Sequence, residues 1–422
     1  MIKKLQTEIT HFRQQPRNFQ ILVLTNLIYA FVLPVIDIFV AAYVMRNSND
    51  PVKVVVYQLT IYTGIPLTFL LNGYLLNRIN IKTLYSIGMM LSAVSMAIMM
   101  SLKTLDVTGI ALAGLTMGMS FGFYWANRDY LALAITHDNN RNYYYGLETF
   151  FYTIIAVVVP IGIGWFIESV GQGGGEANTA YRIVTVAVFF TTVLASIMCF
   201  RGTFNNPARQ RFIYFKFDRQ WYWLLVLAAL KGLAQGFLVT APAMLIMRLV
   251  GQEGALGTAQ SVGAIVAAII MYILGRRTKP NHRLMIFSIG LVCFAIAALI
   301  NGILFNATGV LLFMLFLLIA KPLLDLAYFP IQFGVIDRLS KRENRSEFAY
   351  ILNHEVGLYI GRFSGAATFI ILAWYFSDEF ALRYAIIIVA ALQLSSILVA
   401  KYLVNEERKS KDKVAEVCTL SR

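Results

Sequence analysis

Twelve long apolar stretches fix what this chain can become. They run over 19–45, 52–76, 83–102, 107–135, 143–168, 181–200, 221–249, 254–274, 283–304, 308–336, 348–376 and 383–404. A helix needs about 20 such residues, at 1.5 Å each, to cross the hydrocarbon core of a bilayer. Numbered 1 to 12, these segments read as an all-α polytopic membrane protein. Several exceed the minimum, so tilt or protrusion is expected.

Composition agrees. The 422 residues are 58% hydrophobic and 14% charged, against about 25% charged in soluble domains. The net charge of +14 would suggest nucleic acid in a soluble protein. Here its distribution gives another reading. Most Lys and Arg fall on one set of alternating loops and on both termini. The opposite set holds only Arg46, Lys53, Lys103, Arg182, Arg248 and Arg383. By the positive-inside rule both termini are cytoplasmic, and no nucleic-acid partner is expected. Cys199, Cys293 and Cys418 form no CxxC pair, so neither a disulfide framework nor a metal site is indicated.

The expected organisation is a cytoplasmic N-terminus over 1–18, a helical bundle over 19–200, a basic linker over 201–220, a second bundle over 221–404 and a tail over 405–422. Short matches relate the halves. Tyr124-Trp125 and Tyr328-Phe329 are 204 residues apart, as are Asn140-Arg141 and Asn344-Arg345; Ser86-Ile87-Gly88 and Ser288-Ile289-Gly290 are 202 apart. The pattern points to duplication in parallel. The aromatics within the linker suit a segment at headgroup level.

Charged residues inside spans are costly and mark pathways or pairings. Asp37 lies in span 1, just after Pro34. Arg128 and Asp129 lie in span 4, Glu148 in span 5 and Lys231 in span 7. Lys321 and Asp325 lie in span 10, and Glu355 and Arg362 in span 11. Gln58 and Gln235 add amides; Tyr124, Trp125 and Tyr328 add aromatic faces. Asp37 is a proton site, a substrate site or a partner for a buried cation. Lys231 binds a solute anion or neutralises Asp37 or Asp325. Lys321 and Asp325, four residues apart, are placed to pair along their helix. Tyr143, Tyr144 and Tyr145 read as interfacial anchors. Glycines repeat every four residues in span 4 (Gly114, Gly118, Gly122) and span 11 (Gly357, Gly361, Gly365), a spacing that lets helices approach closely.

The loop after span 2 reads GYLLNRINIK. It resembles the signature of the major facilitator superfamily, G-x-x-x-D-R-x-G-R-K. Gly73, Arg78 and Lys82 match; Asn77 replaces the acidic residue, Asn80 the glycine and Ile81 the arginine. With twelve spans, inside termini and a half repeat, the resemblance covers the whole chain. It implies two pseudo-symmetric six-helix bundles around a cavity lined by spans 1, 4, 7 and 10. It also implies a secondary active transporter working by alternating access. The expected setting is a bacterial inner membrane, with the lipid bilayer, a small-molecule substrate and protons as partners and a monomer as the working form. The solute is a small polar one, leaning to an anionic group. Candidate solute contacts are Asp37, Gln58, Tyr124, Trp125, Lys231, Gln235, Lys321, Asp325 and Tyr328. Candidate proton-coupling or gating residues are Asp37, Arg128, Asp129, Glu148, Glu355 and Arg362. Asn77 cannot supply the acidic latch of the signature, a role open to Asp129 or Glu148. An exporter of drugs, siderophores or metabolites is the alternative within transport, and a membrane receptor or scaffold the alternative outside it. No cofactor or enzyme motif is present; the loops are too short for a catalytic domain.

Overall fold

The computed structural model describes residues 2–136, 138–173, 176–206, 213–277, 280–345 and 347–407. Among them twelve helices are long and apolar enough to cross a membrane: Arg17–Ser48, Pro51–Leu75, Ile81–Ser101, Val107–Ala132, Tyr143–Gln172, Ala177–Phe200, Arg219–Leu249, Glu253–Leu274, Arg283–Ile303, Ala307–Glu343, Ala349–Tyr375 and Asp378–Glu407. No strand occurs among the described residues. Residues 207–212 of the expected linker and 408–422 of the expected tail lie outside the described set, as do the side chains of Arg141 and Arg276.

The helix ends follow local chemistry. Asn80, Asp106, Asp218, Asn306 and Ser377 each cap a helix start, accepting from a backbone N–H two or three residues on at 2.8–3.1 Å. Such caps satisfy donors that the helix itself leaves unpaired. Asn49 and Asn344 end helices in the left-handed region, at φ 50° and 48°, which Asn tolerates better than most residues.

The first span of each half is interrupted. Span 1 stops being regular helix at Ala30 and resumes through a π-helical turn, Val35–Phe39; span 7 stops at Leu238 and resumes at Ala241. Pro34 and Pro242 follow the two breaks, and a proline has no N–H to continue the ladder.

Two compact units emerge. The first takes described residues within 1–49, 56–209 and 252–261; the second takes those within 50–55, 210–251 and 262–422. They depart from the expected bundles in two places: 50–55 go with the second unit and 252–261, the start of span 8, with the first.

Both glycine stripes are backbone contact surfaces. In the first unit span 4 lies on span 2. A Cβ at Gly64 would stand 2.9 Å from Gly118 Cα, one at Gly114 2.5 Å from the Tyr57 carbonyl, and one at Gly118 on the Ile61 carbonyl itself. In the second unit span 11 lies on span 7. There a Cβ at Gly236 would meet the Arg362 carbonyl at 2.6 Å, and side chains at Gly361 and Gly365 would run into the backbone carbonyls of Ala229 and Leu233. With no hydrophobic drive between helices in lipid, such close approach is what holds them. The outward faces carry exposed apolar residues such as Leu67, Phe190 and Trp374.

Candidate functional site

In the first unit four spans bring polar groups to one place. Glu148, on span 5, is 6% exposed. Its carboxylate takes two donors from Arg128 on span 4, Nε at 3.2 Å to Oε1 and a terminal nitrogen to Oε2. Asn26 on span 1 donates to the same Oε1 at 2.8 Å and to the Tyr144 hydroxyl at 2.8 Å. Tyr85 on span 3 donates back to Asn26 Oδ1. Arg128 also reaches the exposed Asp129 and lies 5.5 Å from the Trp125 ring centre. A buried ion pair survives only when its remaining lone pairs and protons are satisfied; this one is.

Three expectations change here. Tyr144 is no interfacial anchor; it is buried and bonded to Asn26. Tyr124 has no exposed surface: it stacks on Tyr85, packs against Tyr29 and the edge of Trp125, and shares a 3.1 Å hydrogen bond with Tyr152. Asp129 and Glu148 are both engaged by Arg128 rather than by the signature loop. Asn77 in that loop is exposed. The loop is clamped instead by Asn206, which accepts from Ile81 N at 2.8 Å and donates to the Leu76 and Ile79 carbonyls at 2.7 and 2.8 Å. Arg78 is exposed, Gly73 is half-buried, and Lys82 reaches the Gly202 carbonyl at 3.5 Å. Asp37 sits exposed in the π-helical turn, and Gln58 is nearly buried.

In the second unit the charges are arranged differently. Lys231 on span 7 donates to Asp325 on span 10 at 2.9 Å. Its ammonium lies 4.0 Å from the Tyr328 ring centre and 4.3 Å from that of Phe329, within range for a cation on aromatic faces. The expected Lys321–Asp325 pair along span 10 does not form; Lys321 is exposed and makes no ion pair among the described residues. The aromatic seat and the facing helix win over the 0.2–0.5 kcal/mol or so of a same-helix pair. Tyr328 is buried below the ammonium and bonded at 2.6 Å to His354 on span 11, whose other nitrogen meets Gln332 at 3.5 Å. Arg362 donates to Gln235 at 2.9 Å and to Glu355 at 3.3 Å. His354 therefore bonds across to span 10, not to its neighbour Glu355.

The family is now decided. The model of the Major Facilitator Superfamily matches residues 22–351. The chain belongs to that superfamily. The superfamily member is 23% identical over 359 residues to the uncharacterized protein YqgE of Bacillus subtilis (strain 168), covering 83% of this chain and 82% of that protein. A second relative, an uncharacterized protein in the sodM 3' region of Geobacillus stearothermophilus, is 25% identical over 204 residues, 48% of this chain and 92% of that one. Among solved structures, a bacterial homologue of the iron transporter ferroportin in its inward-facing state aligns at TM-score 0.68 with 13% identity, covering 93% and 98% of the two chains. A structure of proton-dependent oligopeptide transporters aligns at 0.66 with 11% identity, covering 93% and 99%. At such identities these structures establish a shared transporter fold.

One further cluster of this superfamily member was missed in the sequence. Glu253, at the first turn of span 8, has no exposed surface. Arg46 grips both its oxygens, and the Tyr181 hydroxyl donates to it at 3.1 Å. Beside it the Gly254 N–H donates to Glu168 at 2.9 Å, and a Cβ at Gly164 would stand 3.2 Å from Gly257 Cα. An acid directly preceding a Gly-x-x-Gly run was the available signal.

Proposed function

We propose that this protein is a secondary active transporter of the bacterial inner membrane, with both termini cytoplasmic. It carries a small polar solute bearing an anionic group by alternating access, coupled to protons. The observation that carries this reading is the Lys231 ammonium. It rests on two aromatic faces and is held by one carboxylate, Asp325, that is 29% exposed. A solute carboxylate or phosphate can replace Asp325 there without moving the cation, so binding and release exchange one anion for another. Asp325, freed by that exchange, is then the group able to take a proton. Lys321 adds a second, exposed cation on the same span. Glu148 and Arg128 are assigned to gating, because their pair is already saturated by protein groups.

The test is a thermal-shift panel on the purified protein, comparing organic anions with neutral and lipophilic solutes. A ligand at 100 times its Kd stabilises its state by about 2.7 kcal/mol. Sugar acids or other organic anions should raise the melting temperature, and Lys231→Met should abolish that rise. Uptake of the hit into proteoliposomes should then require an imposed proton gradient. Stabilisation by lipophilic compounds alone, unchanged in Lys231→Met, would overturn the reading in favour of a drug or metabolite exporter.

A further inference from the structure

The second unit holds a recess that the transport mechanism leaves unused. It has a volume of about 490 Å³ and is lined by Gln220 at the start of span 7 and by Asp337, Arg338, Leu339, Lys341 and Arg342 at the end of span 10. Three cations and one carboxylate face it. Their acidic neighbours do not cancel this excess evenly. Arg342 is paired with Asp218. Arg338 and Arg283 share a single carboxylate, Glu407, at 3.9 and 3.7 Å, too far for good hydrogen bonds. Glu406 is turned to Gln220 at 3.4 Å. Lys341 is exposed and makes no ion pair among the described residues.

Arg338 makes the case specific. Its Nε–H is buried without a hydrogen-bond acceptor, a costly state that calls for an explanation. A guanidinium with open donors, an ammonium and a primary amide around a cavity form a set that suits a phosphate oxyanion. The location indicates its source. On the topology proposed above, the recess lies at the cytoplasmic headgroup level. The exposed apolar residues Ile213, Phe215 and Tyr222 lie beside Gln220 in sequence, at the same helix end. Basic recesses at helix ends on that side are suited to acidic lipid headgroups.

We propose that this recess binds the phosphate of an anionic phospholipid, with Arg338 and Lys341 as its principal contacts. The full chain would be purified and placed in nanodiscs of phosphatidylcholine alone, or of phosphatidylcholine with 30% phosphatidylglycerol. A third arm adds 10 mM inorganic phosphate to the phosphatidylcholine discs. Phosphatidylglycerol should raise the melting temperature of the unaltered protein. Lys341→Gln, an exposed change that leaves the fold intact, should reduce that rise to half or less; adding Arg338→Gln should remove it. Arg338→Lys should restore part of it, and Arg201→Gln, a basic residue elsewhere, should leave it whole. An equal rise in both lipid mixtures, or one unaffected by Lys341→Gln and Arg338→Gln, would overturn the proposal. So would a full effect from inorganic phosphate in phosphatidylcholine discs, which would assign the recess to a soluble anion.

Discussion

The two units place the same frame around opposite electrostatics. Tyr124 in span 4 and Tyr328 in span 10 are 204 residues apart. Each is buried and bonded to a residue of the following span, Tyr152 at 3.1 Å and His354 at 2.6 Å. Position 128 corresponds in this register to 332. In the first unit it is an arginine that closes on Glu148 with Asn26 and Tyr144; in the second it is Gln332, which meets the histidine ring. The second unit's partnered cations sit instead on span 7, as Lys231, and span 11, as Arg362. The two units share the buried tyrosine and differ in where the charge sits. One unit has an ion pair buried and saturated by protein groups; the other has a cation whose carboxylate partner is part exposed.

The largest effect should come from breaking the saturated pair. Arg128→Met leaves Glu148 buried without its counterion, and removing one partner of such a pair typically costs about 3–5 kcal/mol. Thermal unfolding in detergent should show a loss of that order. Glu148→Gln should cost less, because Arg128 keeps Asp129. If the two substitutions combined are as harmful as their sum, the pair is not coupled and the contrast between units fails.

Next come the stripes. Gly118→Ala and Gly361→Ala each force a methyl onto a carbonyl of the facing helix, and overpacking costs about 1–3 kcal/mol. Gly162→Ala, with nothing within 4 Å, should be nearly neutral. Equal melting temperatures for all three would mean that the stripes do not hold the helices.

The open pair should be milder. Asp325→Asn removes a charged hydrogen bond to a part-exposed lysine and should cost about 1–2 kcal/mol in melting experiments. Its effect on proton-driven uptake should be near complete. A stability loss matching that of Arg128→Met would place both pairs in one structural class.

The smallest change exchanges the tyrosines' partners. His354→Tyr copies the first unit's hydroxyl pair into the second and should shift stability by less than about 1 kcal/mol, the scale of one net hydrogen bond. A loss several times larger would show that His354 has a task beyond supporting Tyr328.

The membrane fold was legible because hydropathy reports burial in lipid directly, and all twelve spans are present among the described residues. Their ends were less so. Span 10 continues to Glu343, seven residues past its apolar run, because Arg338, Lys341 and Arg342 are good helix formers that hydropathy counts as loop. The stripes announced close packing but not the partner, since a Gly-x-x-x-Gly pattern fixes a face and not what meets it. The polar residues were found, yet their pairings were not. Lys321 was nearest to Asp325 in sequence, and Lys231 won through a seat on Tyr328 and Phe329 that only tertiary packing creates. Tyr144 and Glu253 were misread or missed for the same reason: each lies where a helix end should meet water, and a neighbouring helix covers it instead.

The contact between spans 2 and 4 has a mechanical meaning. A stripe of glycines locked onto carbonyls works as an index, not a bearing. Sliding span 4 by one residue would drive Met117 or Met119 into the backbone of span 2. The next register that fits lies four residues away, about 6 Å along the axis. Gly88 adds a second stop, since a Cβ there would meet Tyr124 N at 2.7 Å. Arg128 is therefore held at a fixed height. Span 5, which carries Glu148, meets no such stop at Gly146, where a Cβ would find open space.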